Sequence, residues 1–146
     1  MKLLTSSITL SLFLSIACYS QNLQAEIEST INDFTQSFLN EDYEKSLSYW
    51  NSSNDIVYIA GNKTYNTEQL HTLYKYLSEN IESIEILEQS VKATPISPYR
   101  ALCIWQGKEK VKMKDHEVVE SNWISTLLME NKKGGWVILH CHTTHF

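Results

Sequence analysis

The apolar residues that follow position 22 recur at helical spacing. Leu23, Ile27, Ile31, Phe34 and Phe38 lie three or four residues apart, which places them on one face of a helix. The residues between them are mostly acids, amides and hydroxyls, as expected of a solvent-facing side. The pattern predicts an amphipathic helix that ends near residue 40.

Two shorter helices are predicted next. In "NEDYEKSLSYW", Tyr43, Leu47 and Trp50 fall on one face behind a run of acidic residues suited to a first helical turn. In "NTEQLHTLYKYLSENI", Asn66 is followed three residues later by Gln69, which is the spacing of a capping box at a helix N-terminus. A short run rich in β-formers, "IVYIAG", lies between these two helices and predicts a strand.

The pattern changes towards alternation after residue 81. "IESIEILEQSVKATPI" alternates in places, and "YRALCIWQGKEKVKMK", "EVVESNWISTLLME" and "GWVILHCHTTHF" predict three long strands. "MKDHE" and "ENKKGG" are typical of hairpin connections. Helices therefore precede a meander of strands, which predicts an α+β fold with helices packed on one face of a mostly antiparallel sheet.

The first twenty residues follow the plan of a secretory signal peptide. Lys2 leads, the stretch 8–17 is largely apolar, and small and polar residues follow. The apolar stretch is too short for a permanent membrane span. We expect cleavage after Ser20 and a secreted or periplasmic protein. Lipidation of Cys18 within "SIAC" is the alternative, and it would make the protein a lipoprotein.

Cleavage after Ser20 would leave residues 21–146, a length that suits one domain with its own core. Loss of Lys2 would move the net charge from −5 to −6. This balance argues against a nucleic-acid partner, and we expect no membrane contact unless Cys18 is lipidated. Cys103 and Cys141 would remain. They could pair in an oxidising compartment, but two separate buried thiols are the favoured interpretation.

The last predicted strand carries a recognisable motif. "GGWVILHCHTTH" resembles the end of the SnoaL-like branch of the nuclear-transport-factor-2-like superfamily, and it is similar to the end of the association domain of calcium/calmodulin-dependent protein kinases. The matching positions are Gly134, Gly135, Trp136, His140, His142 and Thr144. "NEDYEKSLSYWNSSNDIVYIAG" resembles the helix–loop–strand stretch of the same family. The resemblance covers about residues 22–146.

The resemblance implies a cone-shaped barrel, in which a curved, mostly antiparallel sheet wraps around the N-terminal helices and leaves a pocket open at one end. It also implies a homodimer and a small, partly apolar ligand. Many relatives carry an arginine that faces the cavity from the strand before the last. This sequence has Trp123 or Ile124 there, and its only arginine is Arg100.

Strand alternation divides the last strand into two faces. Trp136, Ile138, His140, His142 and Thr144 share one face, and Val137, Leu139, Cys141, Thr143 and His145 share the other. The resemblance makes the first of these the pocket side. The residues predicted to bind the ligand are Tyr58, Trp123, His140, His142 and Thr144.

Several kinds of chemistry are compatible with this pocket. His140 and His142 could share a metal ion, but a third ligand from Glu120, Asp55 or His116 has no defining spacing, so we predict no metal and no cofactor. Either histidine could instead act as general base on a carbonyl-type substrate, as in an isomerase or cyclase. The third alternative is a non-catalytic dimerisation module.

Overall fold

The computed structural model describes the backbone of residues 4–51 and 56–146 and the side chains of residues 21–51 and 56–146. Most of the predicted loop "NSSND", including Asp55, lies outside the described residues. The elements in chain order are α1 (Leu4–Leu39), α2 (Tyr43–Ser48), β1 (Val57–Ala60), β2 (Lys63–Tyr65), α3 (Thr67–Asn80), β3 (Ile81–Ser97), β4 (Arg100–Met113), β5 (Val118–Lys132) and β6 (Gly135–His145).

One sheet carries all six strands, in the order β2-β1-β6-β5-β4-β3. Each pair of neighbours is antiparallel except β1 and β6, which are parallel. The helices precede the long strands and lie against the inner face of this curved sheet. The predicted α+β fold, with a mostly antiparallel sheet around N-terminal helices, is confirmed.

The predicted apolar stripe of α1 lies in the core. Ile27 and Ile31 are completely buried, and Leu23 and Phe34 are nearly so. The helix ends at Leu39, where the pattern predicted, but it begins at Leu4 and so continues through the segment assigned to the signal peptide. Cleavage after Ser20 stays a prediction. In the described part of the chain, no helix is both long and apolar enough to cross a membrane.

Polar side chains, among them Gln24 and Glu26, fasten α1 to the sheet. The Gln24 amide donates to the Val91 carbonyl and accepts from the Ala93 N–H, both at 2.8 Å, so it bonds to β3 like a short piece of strand. Farther along the sheet, the Trp136 indole N–H donates to Glu26 at 3.0 Å. These bonds fix the position of the helix over the inner face while its apolar stripe supplies the burial energy.

The capping box at α3 is present as predicted. The Asn66 side chain accepts from the Gln69 N–H at 2.9 Å, and the Gln69 side chain accepts from the Asn66 N–H at 3.0 Å. These bonds satisfy donors that a helix N-terminus leaves open. The helix then buries Leu70 and Tyr74 in the hydrophobic core.

Both core cysteines face the inside of the sheet and are free thiols. Cys103 and Cys141 pair with Leu127 from opposite sides, so two strand spacings, about 9.5 Å, separate them. A disulfide tolerates about 7 Å between Cα atoms at most. The interpretation as separate buried thiols is confirmed. Burial raises the pKa of Cys103 to about 12 and that of Cys141 to about 11.

We therefore expect Cys103 and Cys141 to resist alkylation by iodoacetamide at pH 8 in the native protein and to react in denaturant, because the thiolate is the nucleophile. Their ordinary pKa is 9.0, so the unfolded thiols ionise first. The resulting stabilisation is complete below pH 9 and is lost as the pH rises through about 11 for Cys141 and about 12 for Cys103. Peptide mass mapping locates the labelled residues, and native labelling at the rate of an exposed cysteine would contradict the buried placement.

Candidate functional site

A cavity of about 400 Å³ lies between the helices and the inner face of the sheet. Its walls are largely apolar and combine aliphatic side chains with a group of aromatic residues: Phe34, Phe38, Trp50, Tyr58, Tyr65, Tyr74, Trp105 and Trp123. Several of these rings meet edge to face, such as Trp105 and Trp123 with centroids 5.5 Å apart and Trp50 and Tyr58 at 5.6 Å. Such contacts hold the rings in place and favour a preformed site.

Gly107 allows Trp123 to lie against β4. The two residues are register partners, and a Cβ atom at position 107 would come within 2.5 and 2.8 Å of two carbon atoms of the indole ring. It would also collide with the carbonyl oxygen of Glu88. A larger residue would therefore have to displace the ring that forms this part of the cavity wall.

A β-bulge at Leu139 changes which side chains of β6 face inward. Leu128 pairs with His140 whereas Met129 pairs with Ile138, so Leu139 is an extra residue on β6. Such a bulge shifts the alternation of the strand by one residue. The inner face of β6 consequently carries Trp136 and Ile138 before the bulge, and Cys141, Thr143 and His145 after it.

The prediction that His140, His142 and Thr144 line the cavity is therefore wrong. His142 and Thr144 are exposed and His140 is half-buried, and the cavity wall contains none of the three. The apolar run at residues 137–139 is compatible with either phase, so alternation within the strand could not decide between them. The pairing of β6 with β5 shows which residues of β6 face the inside of the sheet.

Tyr58 and Trp123 do line the cavity. Burial, the largest effect, raises the pKa of Tyr58 to about 12, and the charge on Glu109 adds to it. Tyr58 is therefore a neutral hydroxyl at physiological pH. The indole N–H of Trp123 is buried and has no hydrogen-bond partner among the described residues. Direct contact of Tyr58 and Trp123 with a ligand stays a prediction.

Neutral polar groups form a strip along β5 and β6. The Ser125 and Thr143 hydroxyls are 2.8 Å apart, and the Cys141 Sγ lies 3.4 Å from the Thr143 hydroxyl. Thr143 also bonds to the side chain of Tyr58. These groups satisfy one another's hydrogen-bonding capacity, so they can be buried in a largely apolar cavity wall.

The charged groups of the cavity wall are Glu109 and His145. His145 Nε2 lies 3.3 Å from a Glu109 carboxylate oxygen, and the side chains are 50% and 14% exposed respectively. Glu109 was not predicted as a site residue, although alternation along β4 places it on the face opposite the lysines of "KEKVKMK". His145 had been assigned to the outer face, and the bulge at Leu139 turns it inward.

The described residues contain no cluster of three or more histidines, cysteines or carboxylates that could hold a metal ion. Of the third ligands considered for His140 and His142, Glu120 is engaged with Lys108 and Lys110. Asp55 lies outside the described residues.

Solved structures with the same architecture include several proteins of low sequence identity. A proposed dehydratase of the NTF2-like family from Streptomyces avermitilis is 14% identical, with a TM-score of 0.71 over 82% of this chain and 93% of that one. A ketosteroid isomerase-like protein from Erwinia carotovora atroseptica is 16% identical, with a TM-score of 0.62 over 84% and 95%. A proposed calcium/calmodulin-dependent protein kinase type II association domain from Thiobacillus denitrificans is 13% identical, with a TM-score of 0.61 over 82% and 94%.

These likenesses concern the fold alone, because identities of this size leave the side chains of a site free to differ. No curated protein matches the chain significantly in sequence. A family model describing the SnoaL-like domain does match, over residues 27–144, and therefore spans most of the chain. The curved sheet, the cavity beneath it and this match agree: the chain belongs to the SnoaL-like domain family.

Proposed function

We propose that this domain binds a small, largely apolar molecule in its cavity. The observation that supports the proposal is a cavity of about 400 Å³ with aromatic walls, a few polar groups and a charged pair that includes a half-exposed histidine. Binding sites for small molecules are usually apolar cavities of about 300–1,000 Å³ with few, well-placed polar groups. The crowded rings favour a flat molecule.

The arrangement of the rings supports a preformed site. Trp123 is seated on Gly107, and Trp105 is held by its indole N–H, which donates to Gln89 at 3.0 Å. At the far wall, the Trp50 indole N–H donates to the Tyr74 hydroxyl at 3.3 Å. Walls that are fixed before binding lose little entropy when a ligand enters.

Acid–base catalysis in the same cavity is the second candidate. The pair formed by His145 and Glu109 supports it, because a carboxylate that orients an imidazole is a common arrangement for proton transfer. The solved structures of similar fold include a proposed dehydratase and a ketosteroid isomerase-like protein. His140 and His142 lie outside the cavity, so they are not candidates for this role.

The outer face of the sheet supports a proposal of homodimerisation. Leu102 and Ile124 are each 39% exposed on this face, and Val118, at the start of β5, is 57% exposed. Apolar patches of this kind favour contact with another protein surface. We also propose export followed by removal of residues 1–20, which the lone Lys2 and the apolar stretch after it support.

A panel of flat apolar compounds tests the binding proposal by thermal shift and by the fluorescence of Trp50, Trp105 and Trp123. A true ligand at 100 times its Kd should stabilise the fold by about 2.7 kcal/mol. Ala60→Trp should fill part of the cavity and abolish the shift. Thr144→Trp, on the exposed outer face of β6, should leave it unchanged. Failure of every compound to stabilise the wild-type protein would remove the support for binding.

Proton exchange tests the catalytic candidate. If His145 acts as a base, the protein should accelerate exchange of the α-protons of 2-tetralone, a flat ketone, with D₂O as followed by NMR. His145→Gln should reduce this rate by about 10²- to 10⁴-fold, the usual contribution of a general base. His142→Gln is the matched control and should have no effect. Equal rates with and without the wild-type protein would reject catalysis of this type.

The proposals on processing and assembly predict two measurements on protein recovered from an expressing bacterium. The intact mass should correspond to residues 21–146, because the signal peptide is removed; a lipid-modified mass that begins at Cys18 would support the lipoprotein alternative. Sedimentation should show a dimer, and Ile124→Lys should shift it to a monomer by placing a charge in the contact. Recovery of an unprocessed monomer would overturn both proposals.

A further inference from the structure

The cavity wall carries few charged side chains. It contains the carboxylate of Glu109 and the imidazole of His145, and no lysine or arginine is among the described lining residues. The cations of β4 lie on the other side: Lys108 and Lys110 pair with Glu120. Arg100 pairs with Glu130 at 2.9 Å. The fixed charge inside the cavity is therefore negative.

The carboxylate of Glu109 lies in a position where it needs a positively charged partner. Its side chain is only 14% exposed, and half-exposed His145 is the ion-pair partner that the described residues provide, at 3.3 Å. A carboxylate removed from water loses solvation that a hydrogen-bonded cation can replace. The imidazole fills this role only when it is protonated. A cationic ligand group could fill it permanently.

Aromatic rings line the same cavity as this carboxylate. Gly107, under the Trp123 indole, is the preceding inner-face residue on the same strand as Glu109. The charge of Glu109 also acts on the Tyr58 hydroxyl across the cavity. The faces of tryptophan and tyrosine rings attract ammonium groups, and a nearby carboxylate adds a direct ion pair.

From this geometry we infer that the ligand class of the cavity is a flat, apolar molecule that carries a protonated amine, with Glu109 as the counter-charge of that amine. The inference rests on the proposed binding function and adds the chemical class of the ligand. A carboxylate ligand would meet Glu109 with like charge and would find no lysine or arginine in the described wall to compensate. A neutral alcohol would lose the ion pair but keep the apolar contacts.

Three compounds with one ring system test this inference: 2-naphthylmethylamine, 2-naphthylmethanol and 2-naphthoic acid. Their affinities for the purified protein can be measured by tryptophan fluorescence and by calorimetry at pH 7.5. The amine should bind about ten- to a hundredfold more tightly than the alcohol, the range expected of a charge-assisted hydrogen bond. The acid should bind most weakly.

Glu109→Gln should reduce the affinity for the amine to that for the alcohol and should leave the alcohol unaffected. Glu120→Gln is the matched control, since this carboxylate pairs with lysines of β4 and is absent from the cavity wall. It should change neither affinity. A preference for the amine that persists in Glu109→Gln would overturn the role of this residue.

Comparing the affinities of the three compounds for the wild-type protein tests the inference by itself, even if Glu109→Gln does not fold. Equal binding of amine and alcohol, or tighter binding of the acid, would overturn the inference and leave the binding function intact. Binding of none of the three compounds would overturn the inference too. The binding function itself fails only if the wider panel of flat apolar compounds also gives no stabilisation.

Discussion

The packing of the α1 stripe against the inner face of the sheet is the interaction on which the rest of the structure depends. Ile27 and Ile31 lose all contact with solvent there, and the Gln24 amide joins the helix to the backbone of β3. Because a single helix cannot fill the whole concave face of a long curved sheet, space remains beside it. That space is the cavity, and its depth and width are set by where the helix is held.

The bulge at Leu139 gives this cavity its chemistry. The strand carries three histidines within its last six residues and could present either set of alternate side chains to the inside. One extra residue reverses the phase and brings Cys141, Thr143 and His145 inward. The same shift moves His140 and His142 to the outer face. A regular strand would place two histidines in the cavity. Because of the bulge, the cavity instead contains one histidine, His145, beside the carboxylate of Glu109.

The polar groups of the cavity fall into two zones with different roles. The strip of Ser125, Cys141 and Thr143 is internally hydrogen-bonded, so it costs little to bury and leaves few donors free. Glu109 and His145 form the second zone, where a charge meets partly accessible space. The proposed preference for a cation and the alternative of proton transfer both arise from this second zone. They differ in whether Glu109 binds the ligand or orients the imidazole.

The local pattern of apolar residues was enough to predict the helices, the long strands and the α+β class, because helical and strand periodicities are properties of neighbouring residues. Tyr58 and Trp123 were also placed correctly in the cavity wall. The side chains of β6 that face the cavity could not be predicted in this way. A bulge is defined by pairing with another strand, here the register between Met129 and Ile138, and no periodicity within one strand records it. Glu109 and His145 likewise meet only when three strands are aligned, so tertiary structure alone decided which charged residues share the cavity.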